Sequence, residues 1–333
     1  MFIVAMAIIA FFATLATLGF GVYRISVADA ISTFFNHLLG NVTNPENDHY
    51  IWDVRLPRAL GALITGAGLA VAGAVMQNDF RNPLAEPYTM GISSGAFLGA
   101  VVAIAYGVSI IPIGNFDGAV GNAFIFSLFP LAIILLVSKF RKMTPIAMVL
   151  TGVAIMFLFS SICQVILVTA PSETLADAYH WRVGTLDKIR WNSLPVMVTI
   201  VFIGAVLIMC FSRKLDVLYA GDRSAQTMGV NANQLRIITL VIASLMTASV
   251  VSYTGTIGFI GLVGPHVARI FVGSTNRYLI PASATFGAAF VIFADTIAKV
   301  TGVSGLPVGV ICSMIGGPLF LYILIKQRKS AWA

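Results

Sequence analysis

Few residues in this chain are equipped for covalent chemistry. The four histidines, His37, His49, His180 and His266, are far apart in sequence or lie in loops, and no HExxH or CxxC spacing occurs. Cys163, Cys210 and Cys312 all sit inside apolar runs, where free cysteine behaves as a small hydrophobe, so neither a disulfide nor a metal site is expected. The one GxSxG match, GISSG from Gly91 to Gly95, opens an apolar stretch instead of following a strand, which is the wrong setting for a nucleophile elbow. No GxxxxGKS or GxxxxGKT loop is present to cradle ATP phosphates, so ATP-driven work would need another subunit. Asp295 is the one acidic residue within an apolar segment, and Lys299 follows at i+4, a spacing that favours ion pairing over proton relay. His266, next to Pro265, reads as a packed and hydrogen-bonded structural residue. No catalytic residue and no metal ligand set is expected.

The positions of these residues are set by a membrane. The chain has 333 residues, 58% hydrophobic and 10% charged, with a mean hydropathy of +0.94. Soluble domains run at about 45–50% apolar and about 25% charged, and a disordered chain is less apolar still. A bilayer core of about 30 Å takes roughly 20 helical residues per crossing. The net charge of +7 fits basic cytoplasmic loops better than nucleic-acid binding.

Nine uncharged stretches are long enough to span, beginning with Phe2 to Gly21, Ala59 to Gln77, Tyr88 to Gly114, Ala119 to Ser138, Thr144 to Ser172 and Ser193 to Ser212. The others are Ile237 to Thr254, Leu279 to Phe293 with its continuation, and Leu306 to Ile325. Between the seventh and eighth lies Gly255 to Val272, glycine-rich and interrupted by Pro265. For the basic loop Arg213 to Arg236 and the basic tail Lys326, Arg328 and Lys329 to share the cytoplasmic side, this broken stretch must also cross. The expectation is an all-α polytopic protein with ten transmembrane helices, both termini cytoplasmic, and one integral membrane domain over residues 1–333. That topology places 13 Lys and Arg inside, Arg141 and Lys142 among them, against 7 outside, although Arg24 after the first span pulls locally the other way. The first stretch lacks a charged n-region and is too long for a signal-peptide core, so it reads as a span. Ser26 to Leu39 has helical apolar spacing and reads as an interfacial helix on the outer surface.

Secondary transporters coupled to ions carry ionisable groups near the bilayer midplane, and these spans are nearly free of them. Charge-poor spans favour a pathway powered from outside the membrane, with a stand-alone secondary transporter or channel as the alternative. Two loops stand out. Arg81 to Pro87 (RNPLAEP) is a proline-rigid connector. In Phe211 to Arg236, Asp222 can cap a short helix, Gly229 can end it in a left-handed turn, and Asn231 with Gln234 can open the next span. Such a helix, exposing Ala225 and Met228, suits either docking to a soluble partner or resting on lipid headgroups. Gly66, Ala70 and Gly73 share a helix face that permits close packing.

The blocks RLPR from Arg55 to Arg58, GAGLAVAGAVMQ, RNPLAEPYTMGISSGAFLGA, GDRSAQTMGV, GFIGLVGPHVARIFVG and LPVGVICSMIGGPLFLYIL, in this order, resemble the permease family of ABC importers for iron–siderophore, haem and cobalamin. The resemblance implies a cell-membrane protein that pairs with a second permease copy or a related permease. It also implies two ATPase subunits holding ATP and magnesium, and an extracytoplasmic substrate-binding protein. It assigns coupling to the loop from Leu218 to Val230, with Gly221, Asp222, Arg223, Ala225, Met228 and Gly229 inside it. It assigns binding-protein docking to Arg55 and Arg58, for which headgroup anchoring is the simpler alternative. A translocation path past Met90, Gly91, Ser93 and Ser94, walled by apolar and small residues, would pass a ferric siderophore first and haem or cobalamin next. Gly264 stands where the family often has another residue, which would loosen the turn before Pro265 and His266.

Overall fold

The structure, a computed structural model, describes residues 1–110, 118–140, 144–302 and 305–326, and every described element is helical. Arg141, Lys142, Arg328 and Lys329, counted above as cytoplasmic, lie outside the described residues, as does the end of the third apolar stretch at 111–114. The chain opens with α1 (Phe2–Thr17), α2 (Val27–Leu38), α3 (Pro45–His49) and a π turn (Tyr50–Arg55) that runs into α4 (Leu56–Phe80). A 3-10 turn (Pro87–Met90) precedes α5 (Ile92–Tyr106), followed by α6 (Gly118–Phe140), α7 (Pro145–Val168) and α8 (Ser172–Arg182). The second half holds α9 (Leu194–Tyr219), α10 (Asp222–Thr227), α11 (Ala232–Thr254), α12 (Ile260–Val272), α13 (Asn276–Val300) and α14 (Val308–Lys326).

Seven of these helices are long and apolar enough to cross a membrane: the run ending in α4, then α6, α7, α9, α11, α13 and α14. The helices α1, α5 and α12 are apolar but shorter. Their starts follow local chemistry. Ser26 accepts from the Asp29 amide at the start of α2, Thr144 from Ala147 ahead of Pro145 in α7, and Asn231 from Gln234 in α11. The amphipathic α2 leaves Phe35 and Leu38 exposed while Ala30 and Thr33 are buried, consistent with the interfacial helix read from its spacing.

The stretch read as interrupted at Pro265 breaks earlier, before the helix instead of within it. Residues 255–259 are not helical, and thirteen-residue α12 rises only about 20 Å. Non-helical backbone at membrane depth survives only where protein satisfies it. Here Tyr88 Oη donates to the Ile257 carbonyl at 2.8 Å and accepts from the Ile257 amide at 3.0 Å, with Ile257 fully buried.

Helix α4 is the shaft around which the rest is assembled, and it packs against α13, α11, α12 and α9. The stripe seen in the sequence makes this possible. A Cβ on Gly66 would fall inside the Gly287 carbonyl of α13, and one on Gly73 inside the Gly261 carbonyl of α12. Ala70 lies between them, against both Gly287 and Gly264. Gly264 therefore loosens no turn: α12 runs unbroken through Pro265, and a Cβ added at the glycine would come within 2.9 Å of the Ala70 Cβ, so its absence is what admits the close approach. His266 is fully buried, bonded through Nδ1 to the Leu262 carbonyl at 2.8 Å and edge-on to Phe320.

Gly66→Ala should lower stability by at least ~1–3 kcal/mol, the usual cost of overpacking, because both neighbours in the clash are backbone. Gly317→Ala in α14 meets only the Phe259 ring at ordinary contact distance and should be neutral. Thermal unfolding in detergent, followed by the loss of the monodisperse chromatographic peak, checks both. Equal melting temperatures would show that the α4–α13 contact is looser than described.

Candidate functional site

The functional geometry collects at the two ends of α4 and in the loop between α9 and α11. In that loop, Gly221 (φ +121) leads into α10, and Met228 caps its end. Gly229 follows at φ +74; its amide bonds to the Gln226 carbonyl at 3.0 Å, and the Val230 amide to the Ala225 carbonyl at 2.8 Å. These two bonds form a Schellman stop, the left-handed turn read from the sequence.

Two expectations for this helix are corrected. Ala225 is fully buried rather than exposed, and Leu218 with it, so these two seat the loop against the spans. The outward surface is made by Arg223, Ser224, Gln226, Thr227, Gly229 and Met228, the last 69% exposed. Nor does Asp222 cap the helix, for the cap position is Gly221 and has no side chain to offer. The Asp222 carboxylate instead accepts from Arg81, just past α4, at 3.1 Å and from Arg236 of α11 at 3.0 Å. Arg236 is 2% exposed, and its Nε donates to the Asp79 carbonyl at 2.8 Å in the last turn of α4. There the helix dipole favours a cation. Thr239 adds a bond to the Asp79 carboxylate at 2.8 Å. Deeper along α4, Gln77 donates toward the Gly261 carbonyl of α12 at 3.3 Å and accepts from Arg269 at the same distance.

A second charge cluster closes the other end of α4. Asp295 is fully buried and sits between Arg58 at 2.8 Å and Lys299 at 2.9 Å, so the pairing expected at i+4 is present and has gained an arginine from α4. Lys299 also reaches Thr17 of α1 at 3.3 Å, and Arg58 pairs outward with Asp187. Arg55 faces inward: it is 5% exposed, donating to the Leu18 carbonyl at 2.6 Å and to the Tyr23 carbonyl. Within this chain it fixes the segment between α1 and α2, and Arg58 is the nearer of the two to the surface. Beside Asp187 opens a recess of roughly 1190 Å³ lined among others by Asp177, His180, Lys188, Arg190 and Trp191. The composition of this stretch is ordinary, and nothing in it announced a recess.

Along the middle of the molecule, Met90 is 1% exposed and Gly91 takes φ +82 at the start of α5. Both lie against Gly152 of α7. Ser93 and Ser94 are half-buried, and Ser94 donates to the Gly91 carbonyl at 2.8 Å.

The FecCD transport family matches residues 7–326, and the chain belongs to that family. It is 38% identical to the cobalamin import system permease protein BtuC of Halobacterium salinarum, over 84% of this chain and 74% of that one. It is 35% identical to the hemin transport system permease protein HmuU of Yersinia pestis, over 90% of each. A solved structure described as an inward-facing ABC transporter of metal-chelate type superposes with a TM-score of 0.86 at 27% identity, covering 97% of this chain and 98% of the other. The chain is thus a multi-pass membrane permease.

Nothing lies within 4 Å of a Cβ placed on Gly229, so a substitution there costs backbone strain alone. Gly229→Val should be strained by ~1–3 kcal/mol, whereas Gly229→Asn, which tolerates positive φ, should be accepted. Hydrogen exchange across residues 222–230 should show lost protection in the valine variant and near-native protection in the asparagine one. Equal protection in both would mean that Gly229 is not the helix stop.

Proposed function

We propose that this chain is the translocation subunit of an ATP-driven importer that moves a metal chelate into the cytoplasm. It pairs with a second permease, a copy of itself or a relative. Two ATPase subunits bring the ATP and magnesium site, and an extracytoplasmic binding protein delivers the cargo. The observation that carries the reading is α10, a short capped helix turned outward between two spans and tied through Asp222 to the end of α4, in a chain of the FecCD family. On this reading its exposed residues dock the ATPase, while Leu218 and Ala225 hold it in place.

The seven long helices and the three shorter apolar ones make ten crossings in this account, with both termini cytoplasmic. That orientation puts α10 inside and the Arg58 cluster outside. Arg58 and Asp187, beside the open recess, form the docking face for the binding protein, and Arg55 acts behind them by fixing the α1–α2 segment. Ser93 and Ser94 are the half-open members of the path, with Met90 and Gly91 packed beneath. Ferric siderophore is the cargo we assign first, with haem or cobalamin next. A wide route between small and apolar side chains needs no ligand on the metal, and discrimination then resides in the binding protein.

Extraction in mild detergent should bring an ATPase down with this chain. In lipid discs, binding protein loaded with ferric siderophore should stimulate ATP hydrolysis more than protein offered haem or cobalamin, and Asp187→Lys, which leaves the buried Arg58–Asp295 pair in place, should lower that stimulation several-fold. Uptake by this chain alone, driven by a proton or sodium gradient, would overturn the assignment. Tight binding of haem or cobalamin by the partner, with none of siderophore, would overturn the choice of cargo.

A further inference from the structure

One charged side chain on α10 touches the residue just past α4 and a residue of α11 at once. Oδ1 of Asp222 is shared by Nη2 of Arg81 and Nη2 of Arg236. The two arginines differ in what they can do. Arg236 is buried and already anchored on the Asp79 carbonyl, so it cannot swing out to follow a moving carboxylate. Arg81 is 40% exposed and begins the connector into α5. It takes a left-handed φ of 46, unusual for a residue with a side chain and held by bonds from the Arg81 amide to Asn78 and the Asn82 amide to Gln77.

Beyond Arg81 the connector is stiff. Pro83 and Pro87 fix two of its backbone angles, and Glu86 and Thr89 cap the 3-10 turn reciprocally. At its far end Tyr88 grips both polar groups of Ile257 in the non-helical segment that precedes α12. A path therefore runs from α10 by an ion pair to Arg81, along the stiff connector backbone, and by the Tyr88 bonds to the break before α12. Six residues are too few for α10 to hold an orientation by helix propensity. Ala225 seats the middle of the helix, and the shared carboxylate is what ties its leading end to Arg81, at the start of the connector, and to α11.

We propose that Asp222 is the positioning residue that passes displacement of α10 to the connector at 81–90 and so to the segment before α12. The proposal rests on the reading of α10 as the ATPase-docking helix. Without the carboxylate, Arg81 and Arg236 face each other with like charge, and α10 can move while the connector stays still.

The test uses the assembled complex of permease, ATPase and binding protein in lipid discs. Spin labels on Met228→Cys and Leu84→Cys report the two ends of the link, with Cys210 replaced by alanine. In the parent protein both labels should shift between the nucleotide-free state and the state trapped with ATP, magnesium and vanadate. In Asp222→Asn the Met228 shift should remain and the Leu84 shift should be lost, with stimulation of hydrolysis by the binding protein lost as well. Arg81→Gln, at a half-exposed site that burial does not police, should lose the Leu84 shift too, and Asp222→Glu should retain it. A full Leu84 shift in both Asp222→Asn and Arg81→Gln overturns the proposal. A cysteine at Met228 that never cross-links to the ATPase in the parent complex overturns the docking reading beneath it, so the two failures are distinguishable.

Discussion

Charge has nowhere to hide in a bilayer, and the arrangement around α4 follows from that constraint. An ionised group in hydrocarbon must find a partner or reach water, since the desolvation cost is several kcal/mol even after relaxation. Along the twenty-five residues of α4 the charged contacts are gathered at the two extremes, Arg58 paired with Asp295 at the start and Arg236 on the Asp79 carbonyl at the end. Between them the helix offers glycine and alanine to its neighbours, so α13 and α12 approach to backbone contact. A stiff rod with a charged socket at each end results.

The two sockets are built differently, and the difference suits the proposed roles. Asp295 is fully buried with a cation on either side, and breaking a buried pair of this kind costs about 3–5 kcal/mol because an uncompensated charge stays behind. That end is a fixed joint holding α1, α4 and α13 together. At the opposite end Asp222 and Arg81 are each about two-fifths exposed, and exposed pairs contribute at most about 1 kcal/mol. Arg236 and Asp79 are buried behind them, so the second joint can respond to a partner at its exposed pair while remaining tied to α4.

The sequence disclosed whatever depends on near neighbours. The apolar run from Thr144 to Ser172 contains the helix Pro145–Val168, and Gly229 and Asn231 do what their types suggest, whereas the interruption read at Pro265 falls at 255–259 instead. What it hid depends on distant residues. Arg58 and Asp295 are 237 positions apart, and no local pattern marks them as partners. Arg55 looks like a surface cation because the carbonyls that bury it, at Leu18 and Tyr23, belong to another segment. Ala225 was placed outward because six residues do not define a face, and packing chose the opposite one. The capping role given to Asp222 failed for a related reason: a carboxylate beside two arginines from other elements forms ion pairs before it serves its own helix.

The central claim, that α4 carries its two charged ends to opposite faces of a membrane, is tested most directly by sided labelling. In cells or sealed vesicles, with Cys210 replaced by alanine, cysteines are placed at Met228 beside one cluster and at Lys188 beside the other. A membrane-impermeant maleimide added outside should label the Lys188→Cys protein at once and reach Met228→Cys only after the membrane is opened. Labelling of both from the same side would contradict the crossing of α4, and the reverse pattern would contradict its orientation.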